Sequence, residues 1–320
     1  MTLRQRGAAL LAAMLTVTLV ASFAAAALWQ QWRALEVETA ERARVQAAWL
    51  LLGALDWSRL ILVEDARTGG ADHLTEPWSV PLQEARLSTF LAAENNISQS
   101  GDATIDTTDA FLSGQIIDLQ SRLNLRNLLS DVSMAERAEQ QFARLFERLN
   151  LPQSELALLL SGLRSAAKGD EAQALLMPQS TDQLGWLGLS PATVARLEPH
   201  VAMLPLATPV NVNTASVDVL WAAIDGIDQA GAQKIVQARE NRYFSTLADV
   251  RSLLGSQQDG LTDSAFSIAS AYFEVRGQLR LDKTTVQERS LVRRQSGQTS
   301  VLWRQRASLP LLPTAPTSGL

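Results

Sequence analysis

Two of the side chains most used for chemistry are scarce in this chain, whose 320 residues include no cysteine and only two histidines. That excludes disulfides and thiolate metal sites. His73 and His200 each lie beside loop residues with no evident partner and read as surface side chains. No nucleophile elbow, P-loop or metal-ligand spacing occurs, so the sequence does not predict an enzyme. One acidic loop, from Gly101 to Asp109, carries Asp102, Asp106 and Asp109, whose oxygens could serve calcium. Their spacing is not that of an EF-hand, and a solvated loop is the plainer account. A second candidate is Asp225-Gly226-Ile227-Asp228, a turn between two helical stretches where backbone amides could meet a phosphate. Two carboxylates flank that turn. From Asn211 to Gly255, Lys234, Arg239, Arg242 and Arg251 face five acids, Asp218, Asp225, Asp228, Glu240 and Asp249. This balance predicts a structural helical hairpin and no nucleic-acid binding, in keeping with a formal net charge of −5.

The residues of most consequence lie in the element that must position everything else. Met1 to Gly7 holds Arg4 and Arg6, and Ala8 to Leu28 is free of charge. The helical pattern continues to about Arg67, interrupted by no proline and by Gly53 alone. Such a helix is about 90 Å long, roughly three times the apolar thickness of a bilayer. Three processing routes fit it. A secretory signal peptide would be cut near Ala24-Ala25-Ala26. A signal anchor would keep the helix whole. A type IV prepilin leader would be cut between Gly7 and Ala8, and this route also accounts for the glycine before the apolar run and for the unbroken helix beyond it. Loss of the leader would lower the formal charge from −5 to −7, since Arg4 and Arg6 leave with it. The basic leader puts the N-terminus in the cytoplasm and the bulk outside. Trp29 and Trp32 stand where the helix leaves the membrane.

Beyond the helix, extended segments are predicted near Arg86–Ala93 and Ala110–Leu119, separated by a polar loop. Residues 125–270 read as short helices. Asp131 or Ser133 caps one that stops at Asn150 and Pro152, the next covers Ser154–Ala167, and another starts at Ser190-Pro191. From Phe273 the period becomes two, predicting strands at Phe273–Leu281, Val286–Arg294 and Ser300–Arg306, joined by Asp282-Lys283 and Ser296-Gly297 turns. The reading is an α+β protein. Its expected parts are a leader (1–7), a membrane half-helix (8–28), a discontinuous α/β domain with an antiparallel sheet (29–124 and 271–308), an inserted helical domain (125–270) and a disordered tail (309–320). The sheet is expected on the second half of the long helix, against Val45, Trp49, Leu52, Leu55, Leu60 and Val63.

Three segments give this order a family likeness. Asp118-Leu119-Gln120-Ser121-Arg122-Leu123-Asn124-Leu125-Arg126-Asn127-Leu128, Val210-Asn211-Val212-Asn213-Thr214-Ala215 and Ala271-Tyr272-Phe273-Glu274-Val275 resemble the K-type minor pseudopilins of type II secretion systems. The resemblance spans nearly the whole chain after Gly7. It implies a structural subunit at the tip of a short periplasmic pseudopilus, anchored in the inner membrane by a single pass. It also implies I-type and J-type minor pseudopilins and other pseudopilins as partners, and a prepilin peptidase that cuts before Ala8, whose new amine is methylated. Calcium occurs in that family, which keeps Asp102, Asp106 and Asp109 in view, although no ligand position carries over; no cofactor is otherwise required. Most pilin-like proteins carry glutamate at the fifth mature position, which here is Ala12. A buried carboxylate needs a positive partner, and a subunit with nothing ahead of it has none. Ala12, Ala40, Ala43, Ala47, Leu50 and Leu51 are the expected partner-helix contacts, since small residues permit close helix approach. The rival resemblance is to the helix-hairpin-helix of membrane-anchored DNA-uptake proteins, carried by Asn211 to Val250.

Overall fold

The computed structural model describes residues 6–87, 110–168, 175–255, 260–281 and 284–307. Helix α1 runs unbroken from Arg6 to Thr68. Residues 8–42 of it are exposed throughout, whereas its C-terminal third lies on a five-stranded antiparallel sheet. The sheet contains β1 (Leu82–Arg86), β2 (Ala110–Asp118), β7 (Tyr272–Leu281), β8 (Thr284–Gln295) and β9 (Gln298–Ala307), in the order β1-β2-β7-β8-β9. Strands β2 and β7 are 153 positions apart from Asp118 to Ala271, yet they pair along their whole length, from Ala110↔Leu281 to Asp118↔Phe273. The helical elements therefore leave from one end of the sheet and return to that same end. The first strand sits earlier than Arg86–Ala93, and residues past Leu87 on that side are outside the described set.

Two devices set the sheet. Ser296 and Gly297 both take positive φ, 52° and 72°, as a two-residue hairpin turn between right-twisted strands requires. Gly277 forms the floor beneath α1, where a Cβ would come within 3.1 Å of Leu51 Cδ2. The helix face that lands there agrees with the expected one only in part. Leu55 is buried against the sheet, with Ala47, Leu51 and Leu62, and Leu52 and Val63 are half-buried, whereas Val45, Trp49 and Leu60 point to solvent, with Trp49 69% exposed. Small and slender side chains fit a flat floor with glycine in it; a tryptophan would hold the helix away. Each buried leucine contributes about 2 kcal/mol by removal from water.

Between β2 and β7 come α2 (Val132–Arg148), α3 (Gln153–Lys168), α4 (Pro191–Leu197), α5 (Val217–Ala223), α6 (Gln229–Asn241) and α7 (Leu247–Leu254). Asp131 caps α2 by accepting from Met134 N at 3.1 Å, and Asn150, at φ 47°, ends it before Pro152. These helices share one continuous apolar core that includes Phe142, Phe146, Leu163, Leu184, Leu220 and Ile235. Two short parallel pairings, β3 (Leu123–Asn124) with β4 (Val201–Ala202) and β5 (Val210–Asn211) with β6 (Phe266–Ser267), tie the block together and were not evident from sequence.

Candidate functional site: the junction clasp and the bare helix face

At the point where the chain leaves the sheet, Asp118 is 3% exposed and accepts four hydrogen bonds. Gln120 N donates to its Oδ1 at 2.7 Å. Thr214 Oγ1 (2.5 Å), Ser270 Oγ (2.7 Å) and Asn211 Nδ2 (3.3 Å) donate to Oδ2. The outgoing segment, the Asn211–Thr214 motif and the returning segment thus meet on one carboxylate. Burial pushes the Asp118 carboxyl up to about 6, with the hydrogen bonds opposing that rise. Asp72, from the segment after α1, accepts from Ser270 N at 2.6 Å, and its backbone oxygen accepts from Asn211 Nδ2 at 3.1 Å. Arg294, on β8, donates to Asp72, to Asp65 Oδ2 at 2.5 Å and to Ser270 O at 2.9 Å. Burial raises Asp72 too, held in check by the Arg294 charge.

The other motif amides act as staples between backbones distant in sequence. Asn124 Nδ2 donates to Leu206 O at 2.7 Å and Thr208 Oγ1 at 3.0 Å. Asn127 exchanges two bonds with the backbone of Thr208. Asn213, 1% exposed, does the same with Phe244, at 3.0 and 2.9 Å. Gln120 reaches Pro209 O and accepts from Ala271 N. The residues that carried the family likeness are therefore architectural: they fasten the helical block to itself and to the sheet.

The second feature is the uncovered face of α1. Leu35, Val37, Val45 and Trp49 are more than half exposed. Of the expected partner-helix residues, Ala12 and Ala40 are exposed, but Ala47 (0% exposed) and Leu51 are covered by the chain's own sheet. Ala43 and Leu50 pack at the margin of that same cluster. The sheet thus occupies a stripe assigned from sequence to partners. Arg4 and the candidate calcium residues Asp102, Asp106 and Asp109 lie outside the described residues; Arg6, Gly7 and Ala8 are in the first turns of α1.

Both histidines differ from the surface reading. His73 stacks on Tyr243 with ring centroids 3.9 Å apart, and its Nδ1 is 2.8 Å from Thr75 Oγ1. His200 is half-buried, and burial lowers both imidazoles. Asp65, Asp72 and Glu76 come within 4.8 Å of one another, but the Arg294 guanidinium is bonded to the first two, and no metal is assigned to them. At the turn after α5, Asp228 caps α6 by accepting from Gly231 N at 2.7 Å, and Asp225 pairs with Arg144. A carboxylate thus takes the position where a DNA phosphate would meet that helix terminus.

One long helix, whose C-terminal third lies on an antiparallel sheet, is apolar enough at its N-terminal end, and long enough, to cross a membrane. Two family models, each described as Type II secretion system (T2SS), protein K, match residues 121–206 and 210–269. Type II secretion system protein K of Pseudomonas aeruginosa is 27% identical, with 97% of this chain and 96% of that protein covered. The protein of the same description from Pectobacterium carotovorum is 25% identical, at 94% and 96% coverage. Among solved structures, a chain in the GspK-GspI-GspJ complex of the enterotoxigenic Escherichia coli Type 2 Secretion System aligns with a TM-score of 0.59 at 19% identity. That alignment covers 84% of this chain and 98% of that one. The chain is thus similar to type II secretion system protein K over nearly its whole length.

Proposed function

We propose that this chain is a minor pseudopilin at the tip of the type II secretion pseudopilus, with its globular part in the periplasm and I-type and J-type minor pseudopilins packed beside α1. It is a structural subunit and not an enzyme. The observation that carries the proposal is the uncovered length of α1, where Leu35, Val37, Val45 and Trp49 are more than half exposed, with nothing among the described residues to bury them. Exposed apolar surface of that extent marks a contact with other chains. The family supports the secretion role, and the likeness to a subunit solved with two others supports the choice of partners.

A helical block carried at one end of the sheet would cover the end at which a further subunit would join, which suits a terminal position. Ala12, in place of the usual glutamate, suits it as well: a first subunit has no forward neighbour whose amine could meet a buried carboxylate. Maturation follows the prepilin route, with a cut between Gly7 and Ala8 and methylation of Ala8. The experiment is purification of the membrane-extracted full chain alongside its I-type and J-type partners. We expect a ternary complex, and an intact mass that begins at methylated Ala8. A monomer indifferent to both partners would remove the assembly claim, and a start near Ala27 would replace the anchor with a released signal peptide.

A further inference from the structure

We propose that the junction around Asp118 is a proton-dependent clasp, which holds the helical block on the sheet more firmly in acid than at neutral pH. Four carboxylates meet at this junction: Asp65 at the end of α1, Asp72 and Glu76 in the segment after it, and Asp118 at the end of β2. Asp118 is linked to Asp72 through shared donors: Ser270 bonds both carboxylates, and Asn211 bonds the Asp118 carboxylate and the Asp72 backbone oxygen. Among the described residues, Arg294 is the guanidinium bonded to this group, through Asp65 and Asp72. Arg122 acts on Asp118 only at longer range, its Nη1 being spent on Glu198 O at 3.0 Å. His73, beside Glu76, is disfavoured as a cation by burial. With every acid ionised, the junction holds an excess of negative charge away from water, and proton uptake relieves it.

The position of Asp118 decides what the proton does. Its four donors come from β2's own exit, from the Asn211–Thr214 motif and from the returning segment, so undocking of the block would return this carboxyl to water. Thr214 and Ser270 hydroxyls can rotate to accept from a protonated Asp118, so the clasp accommodates the neutral form. In the docked protein the carboxyl holds its proton up to about 6, against 3.8 when solvated. Docking therefore takes up a proton between these values. The contribution is fully present below about pH 4 and is lost as pH rises through about 6. Asp72 and Glu76, the latter pushed up to about 7 by burial, act in the same direction. A clasp built on an exposed ion pair would instead loosen in acid.

The test is hydrogen exchange on the full chain in membrane mimetic, read on peptides spanning 118–124, 208–215 and 266–272 and corrected for the intrinsic pH dependence of exchange. Protection should be at least about tenfold greater near pH 5 than near pH 7.5, the share that Asp118 alone supplies with a two-unit pKa difference. Asp118→Asn should cut that pH difference by about tenfold, leaving the share of Asp72 and Glu76. Ser270→Ala, which removes one donor to the carboxylate, should move the midpoint to higher pH; it decides the matter if the Asn variant does not fold. A flat wild-type profile, the opposite sign, a midpoint that Ser270→Ala leaves in place, or a profile that vanishes with a chelator would overturn the proposal, the last because a bound cation would then carry the charge.

Discussion

Asn213 illustrates how single residues hold this protein together. Its amide exchanges two hydrogen bonds with the Phe244 backbone, 31 positions away, in a site closed to water. Truncation to alanine leaves a buried N–H and C=O without partners, each costing about 1–3 kcal/mol. Asn213→Ala is therefore expected to destabilise the helical block by about 3 kcal/mol, seen as a lower denaturation midpoint with an unchanged m-value. A loss under about 0.5 kcal/mol would mean that water replaces both bonds. Local events such as the Asp131 cap and the Asn150 stop were legible in sequence because their partners are three or four positions away. The Asp118, Asn124 and Asn213 staples reach residues 31 to 152 positions distant, so no spacing rule announces them. Their motifs were visible; their work was not.

At the scale of elements, periodicity identified the strands from Phe273 onward, and the Ser296-Gly297 turn fixed their hairpin. It could not select the buried stripe of α1, because alanine and leucine occur all round that helix and hydrophobicity then marks no side. The sheet's floor selects it, through Gly277 and the room it leaves for Leu51. Positions 47 and 49 lie about 200° apart on a helix, so the two stripes face opposite ways. This separates two kinds of variant. Trp49→Glu or Val45→Glu is expected to weaken the ternary complex at least tenfold while leaving the circular dichroism spectrum and melting midpoint of the isolated chain unchanged. Ala47→Glu would bury a charge beneath the sheet and unfold the domain, a cost of several kcal/mol. Equal complex formation by the Trp49 and wild-type proteins would show that partners use another face.

The whole molecule combines an anchor, a sheet and a block whose arrangement follows from one topological fact: the insertion leaves and re-enters the sheet at one end, on adjacent strands β2 and β7. The block is therefore carried at the sheet's end, and a buried polar junction fastens it there. Overall order and composition were legible in the sequence, from the apolar run through the helical stretch to the alternating strands. The reach of the block over the sheet was not, since contacts such as Arg289 with Asp182 join residues 107 positions apart. On the proposed reading, this geometry makes the chain an end piece. Gold labelling of a tagged chain on pseudopili assembled from overproduced shaft subunits tests it most directly. The account predicts label at one end of each filament and none along its length; label distributed along the shaft would contradict it.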